Sequence, residues 1–229
     1  MIVEWTVLIP LKRLDHAKSR LSGFTQLHRR DVARAMAETV ATTAAEVHGV
    51  DHVVVVTDEA WDHSAAPALV LPEVGAGGLN AALADAARTV ARRWPNHGIA
   101  VLLADTAAAT ADELSACLSA ASEHQCSMVA DHEGTGTVLL AHRPGVAVEP
   151  RFGPGSRLAH QASGALDLTH GLDVPLLRRD LDTVADLTAI ATRIPGLPRL
   201  DRALRAAGWT ATRSRGTTPS RRTAVRAPG

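Results

Sequence analysis

The sequence predicts a single-domain α/β protein, with a mainly parallel sheet and helices on both faces. Short apolar runs rich in β-branched residues alternate with longer stretches of helical periodicity along most of the 229 residues. The 46% hydrophobic fraction is mostly Ala, Val and Leu, with 3% aromatic residues and no Tyr, which suits an aliphatic core of packed helices and strands. Polar and charged residues gather just after the strand-like runs, where open α/β sheets bind ligands.

A first strand over residues 4–9 ends at Pro10 and enters the basic loop Leu11-Lys12-Arg13-Leu14-Asp15-His16-Ala17-Lys18-Ser19-Arg20. Apolar positions Leu27, Val32, Ala35, Met36, Val40, Ala44 and Val47 recur at helical spacing and predict a helix from about Gln26 to Val47. Val53–Val56 reads as a strand covered on both faces and stops at Thr57-Asp58. A weaker strand near Ala68–Leu71 leads through Gly75–Asn80 into a helix reaching Trp94. Pro95–Gly98 punctuates before the strand Ile99–Ala104, which ends at Asp105. A helix over Ala111–Glu123, a strand through Met128–Ala130 and an extended hairpin partner within Gly134–Ala141 follow. Arg151–Ser156 turns, His160 lies on a short helix and Val174–Leu177 reads as a last strand. A helix begins near Thr183, capped by Thr183 or Asp182 with Asp186 three or four residues on, and another spans Leu200–Ala207.

The domain is expected over residues 1–209. The segment 210–229 holds five Arg and no acidic residue amid Thr, Ser, Pro and Gly, and reads as a disordered basic tail. Charges balance at 24 basic against 24 acidic residues, so no global field draws nucleic acid or an anionic membrane. Scarce aromatics offer few stacking platforms for single strands. No stretch nears the ~20 apolar residues of a membrane span, and the N-terminus lacks a signal-peptide pattern. A cytoplasmic protein with Cys117 and Cys126 as buried thiols is expected, and homo-oligomerisation is left open.

The polar residues carry two readings each. Lys12, Arg13, Lys18 and Arg20 suit a polyphosphate, which needs several donors at once, but on charge alone they read as a solvated loop. Asp105 at a strand end is a ligand carboxylate or a turn cap; Asn80 is an N-cap, a nucleotide contact or both. Gly134–Thr137 is a flexible hairpin or a backbone anion cradle. Ser156 is a cap of the helix leading to His160, part of an anion site at that helix N-terminus, or both; His160 is more often a structural hydrogen-bond partner than a catalyst. Asp182 and Asp186 fit the acidic first turn of a helix.

The wording Pro10-Leu11-Lys12-Arg13-Leu14-Asp15-His16-Ala17-Lys18-Ser19-Arg20-Leu21 closely resembles the first motif of the phosphoenolpyruvate and 2-phospho-L-lactate guanylyltransferases of deazaflavin coenzyme (F-420) biosynthesis. Gly77–Leu83, Leu103-Ala104-Asp105, Gly134–Thr137, Phe152–Ser156 with His160, and Asp180–Leu187 resemble further motifs of that family in the same order. The resemblance implies a GT-A-like nucleotidyltransferase fold using GTP and Mg²⁺. It implies GTP contacts at Pro10, Lys12, Lys18, Gly78 and Asn80, with Lys18 and Asp105 in catalysis. It places the metal on Asp105, Asp180 and Asp182, and the phospho-acid on Thr137, Gly153 and Ser156. The Ala- and Arg-rich style suggests the GC-rich genome of an actinobacterium, for which the resemblance makes phosphoenolpyruvate, rather than 2-phospho-L-lactate, the expected acceptor.

Two departures lie on the acceptor side. Thr106-Ala107-Ala108-Ala109-Thr110 replaces a Leu-Pro and a further apolar pair, in a loop expected to border metal and substrates. Val138 stands where the family is commonly polar. Two other functions stand beside the transferase: a nucleotide-binding paralogue with altered acceptor or lost turnover, supported by the 106–110 loop, and a molybdenum-cofactor nucleotidyltransferase. The chain lacks the latter family's Gly-rich opening loop.

Overall fold

A computed structural model describes residues 3–11, 21, 23–64, 66–73 and 77–210. Among these, one sheet contains β1 (Trp5–Pro10), β2 (Val50–Val56), β3 (Leu69–Leu71), β4 (Gly98–Leu102), β5 (Cys126–Ala130), β6 (Thr137–His142) and β7 (Leu166–Asp167). The helices are α1 (Gln26–Ala45), α2 (Gly78–Arg93), α3 (Ala111–Ala121), α4 (Ser156–Ala162), α5 (Val184–Ala189) and α6 (Pro198–Ala206). The strand order is β3-β2-β1-β4-β6-β5-β7, and every neighbouring pair is parallel except the two made by β6.

Strand side chains alternate between faces, so each buried strand feeds two cores. Val7, Ile9, Val53, Val55, Ala100 and Leu102 pack toward α1, α3 and α6, which contribute Val32, Met36, Leu114, Leu118, Leu200 and Leu204. Leu8, Val54, Val56, Ile99 and Val101 pack toward α2, through Leu83, Ala86 and Val90. Two cores on one sheet make the described residues one architectural unit. The predicted tail lies outside the described residues beyond Thr210, as do Lys12 and Lys18.

Local chemistry sets the helix starts. Thr25 accepts from the amide of His28 at 3.2 Å at the head of α1. Thr110 and Glu113 form a reciprocal capping box on α3, and Thr183 with Asp186 form another on α5, so Thr183 is the cap rather than Asp182. Gly77 caps α2 without a side-chain bond, and Asn80 lies inside that helix rather than capping it. Gly78 has φ +72°, which disfavours any other residue there.

Val174–Leu177 is a turn rather than a strand, and the last strand is β7 instead. Val174 and Leu177 are buried as predicted for a strand. The amides of Leu176 and Leu177 donate to the Glu113 carboxylate at 2.9 Å each, so this segment is held by a side chain instead of a sheet neighbour.

Candidate active site

Strand direction decides where the polar residues collect. β1, β4 and β5 are parallel, so Pro10, Asp105 and Asp131 fall at or just beyond one edge of the sheet. Because β6 is antiparallel, its first residue, Thr137, comes to that same edge. The order reverses at β1, with β2 on one side and β4 on the other, which opens a crevice beyond the strand ends.

A cleft of about 290 Å³ lies there, lined by Leu79, Leu103, Asp105, Asp131, Gly136, Thr137, Val138, Phe152, Gly153, Ser156 and Asp180. It brings together Asp105, Thr137, Gly153, Ser156 and Asp180 of the predicted site. Asp182 does not line it but adds its charge to Asp180. Asn80 acts from behind. Its amide nitrogen donates to the Phe152 carbonyl at 3.0 Å, and its amide oxygen accepts from the Phe152 N–H at 2.8 Å. This reciprocal pair ties the start of α2 to the loop that precedes α4. Gly153, next in line, has φ +136°, a conformation reserved for glycine.

The acidic wall comes from two distant segments. The Leu181 amide donates to the Asp105 backbone carbonyl at 3.0 Å, which docks the 180–182 segment on the end of β4. Burial pushes the Asp180 carboxyl up to about 6, and the nearby charges of Asp105, Asp182 and Asp131 push the same way, against a backbone hydrogen bond that lowers it. A half-buried carboxyl among like charges is a site that favours a cation. The residues present therefore fit a divalent metal.

Among the described residues, a tight group of His and carboxylate ligand atoms, within 4.8 Å of one another, occurs elsewhere, at Glu4, Asp51 and His97. These sit at the starts of β1, β2 and β4, the opposite edge of the sheet from the cleft. His97 Nε2 is 3.5 Å from Glu4 and 3.7 Å from Asp51.

Asp131 was not among the expected site residues. Its two oxygens accept from the amides of Thr135 and Gly136 at 2.9 and 2.8 Å, shaping the turn into β6. A Cβ at Gly136 would collide with that carboxylate, so the glycine is needed for the close approach. Its position directly after a predicted strand, like that of Asp105, was the available signal. Thr137 bonds His160 Nδ1 at 2.9 Å, while His160 Nε2 accepts from the Arg151 amide at 2.9 Å. Burial holds the His160 ring down to about 4, so it is neutral at physiological pH. Ser156 is the first residue of α4, not its cap; Gly155 in the left-handed region takes that place.

The 106–110 loop does not border the cleft. Thr106, Ala107, Ala108 and Ala109 are buried in the core under α1, and Arg193 Nε donates to the Ala108 carbonyl at 2.8 Å. Val138 does line the cleft, with its side chain committed to the core. Cys117 is buried and Cys126 half-buried, both free, with thiols raised by burial to about 12 and about 11. No helix among the described residues is long and apolar enough to cross a membrane.

The family model described as "Guanylyl transferase CofC like" matches residues 5–194. A phosphoenolpyruvate guanylyltransferase of Frankia casuarinae is 38% identical, covering 90% of this chain and 78% of the relative. Another, from Salinispora arenicola, is 44% identical over 83% of this chain and 89% of its own. Among solved structures, a protein proposed to be a nucleotide-diphospho-sugar transferase from Desulfovibrio desulfuricans G20 superposes with a TM-score of 0.65 at 14% identity, covering 90% and 96% of the two chains. A CMP:2-keto-3-deoxy-manno-octonic acid synthetase complexed with CTP gives 0.54 at 12% identity, covering 84% and 99%. At such identities the likeness shows the fold alone, a nucleotidyltransferase-type α/β sheet.

Proposed function

Because the chain belongs to the family of CofC-like guanylyl transferases, we propose that it transfers GMP from GTP to phosphoenolpyruvate, releasing pyrophosphate, in deazaflavin coenzyme biosynthesis. The observation that carries this reading is the cleft itself. It is lined by carboxylates (Asp105, Asp180, Asp131), hydroxyls (Thr137, Ser156) and a glycine (Gly153), a set that suits a metal together with a small acid bearing a phosphate.

In the reaction, a phosphate oxygen of the acid attacks the α-phosphorus of GTP. The new P–O bond forms as the bond to the bridging α–β oxygen breaks, and pyrophosphate leaves with the electron pair. A phosphate monoester is already largely ionised near neutral pH, so neither a protein nucleophile nor a general base is needed. Charge is the obstacle, since both reactants are anions. Mg²⁺ held by Asp105 and an aspartate of the 180–182 pair would offset that charge. Lys12 and Lys18 are assigned to the triphosphate by their motif, with Pro10, Gly78 and Asn80 on the GTP side. Thr137 and Ser156 donate to the acceptor's anionic oxygens, and Gly153 lets backbone come close.

Ser156→Ala tests the acceptor side. Loss of one hydrogen bond to a charged group costs about 1.5–3 kcal/mol. The apparent KM for phosphoenolpyruvate should rise roughly ten- to a hundredfold, while the KM for GTP holds. Equal weakening of both substrates would place the acceptor elsewhere.

A further inference from the structure

We propose that His160 is a positioning residue for acceptor recognition: it fixes the Thr137 hydroxyl as a hydrogen-bond donor into the cleft. This rests on the reading of the cleft as the acceptor site and deepens it.

The argument begins at the Arg151 amide, whose N–H can only donate. It points at His160 Nε2 at 2.9 Å, so that nitrogen must offer its lone pair. A neutral imidazole with Nε2 unprotonated carries its hydrogen on Nδ1. Nδ1 lies 2.9 Å from Thr137 Oγ1, so the ring donates and the hydroxyl oxygen accepts. The opposite tautomer, and the doubly protonated ring, would set two hydrogens against each other at Arg151. The ring is fully buried, and burial pushes it toward the neutral form. Phe152 packs edge-on against it at 5.1 Å, which fixes the ring plane.

The consequence falls on Thr137. A hydroxyl has one hydrogen and two lone pairs. With one lone pair occupied by His160, its hydrogen is left for another acceptor, and among the described residues no second protein partner meets it. Thr137 is itself buried and lines the cleft. A phosphate or carboxylate oxygen can only accept, so the relay from Arg151 through His160 presents the polarity an anionic acceptor requires. Without it, the hydroxyl could rotate and offer a lone pair to the same anion. The relay also begins in the 151–153 segment that Asn80 clamps from the GTP side, so the acceptor donor is referenced to the nucleotide side of the cleft.

Two substitutions separate the halves of the relay. His160→Gln retains an oxygen where Nε2 accepts from Arg151 but loses the donor at Nδ1. His160→Asn retains an N–H near Nδ1 but loses the acceptor for Arg151. Steady-state kinetics with GTP, Mg²⁺ and phosphoenolpyruvate should show His160→Gln raising the phosphoenolpyruvate KM by about tenfold, the share of one hydrogen bond to a charged group. The GTP KM and kcat should change little. His160→Asn should recover most of that loss at a lower melting temperature. In a Thr137→Val background, adding His160→Gln should have almost no further effect on the acceptor KM.

Additive effects in the double variant, or equal losses in Asn and Gln, would overturn the proposal and leave His160 a packing residue. Thr137→Val without effect on the phosphoenolpyruvate KM would remove the acceptor reading of the cleft and the proposal with it. Long-range ¹⁵N correlation spectra of the substrate-free wild type give a test independent of substitution and turnover. The His160 proton is expected on Nδ1, and a proton on Nε2 would overturn the relay.

Discussion

Asp105→Asn should yield a protein that still folds and melts cooperatively but turns over about a hundredfold or more slowly, since a misplaced or lost cation forfeits several kcal/mol of transition-state stabilisation. The fold should persist because the docking contact at this position is made by the backbone carbonyl, which accepts from Leu181 and is unchanged by the substitution. The side chain, in contrast, stands among Asp131 and Asp180, and its charge helps raise the Asp180 carboxyl to about 6. Activity should therefore fall while the cooperative melt persists. Near-normal turnover in the folded variant would take the metal assignment off Asp105.

Glu113→Ala is expected to have the largest effect on stability. Its carboxylate accepts from the Leu176 and Leu177 amides at 2.9 Å each and closes the α3 capping box with Thr110. Truncation leaves those amides without an acceptor, at about 1–3 kcal/mol for each buried orphan. A net loss of about 2–4 kcal/mol follows, or roughly 5–12 °C in Tm for a domain of this size. The segment that Glu113 holds leads directly into Asp180–Asp182. The same variant should therefore require more Mg²⁺ for half-maximal activity, which differential scanning fluorimetry paired with a metal titration would read. A melting temperature within a degree or two of wild type would show that the 176–177 turn is held by its buried apolar side chains alone.

The contrast between these two residues shows what could be read from the chain. Asp105 was legible because a carboxylate directly after a β-branched and apolar run must lie at a strand end, and strand ends in a parallel sheet share an edge. Thr137, Gly153, Ser156 and Asp180 were placed by motif resemblance, and they line the same cleft. The segment Gly134–Ala141 was expected to be the hairpin partner of β5, and that partner is β6, Thr137–His142, because glycine-rich punctuation between two apolar runs marks a short antiparallel connection.

Glu113 was hidden for a different reason. Thr110-x-x-Glu113 carries the capping-box pattern, yet nothing local tells that the carboxylate also reaches residues more than sixty positions away. The same long-range bond explains the misread strand at Val174–Leu177. A short apolar run shows only that its side chains are buried, and it does not reveal whether its amides face a neighbouring strand or a carboxylate. The 106–110 loop was taken to border the substrates because it follows Asp105. Its chain instead turns inward at Thr106, whose hydroxyl donates to the Leu103 carbonyl at 2.8 Å, and the alanines pack into the core. The main argument for a paralogue without turnover loses its footing there.

Pyrophosphate release by the full chain with GTP and Mg²⁺, across a panel of phosphorylated three-carbon acids, tests the central claim most directly. The account predicts release that depends on both metal and acceptor, is fastest with phosphoenolpyruvate, and falls sharply when ATP replaces GTP. Release indifferent to the acid, or none with any phospho-acid although GTP binds, would contradict it.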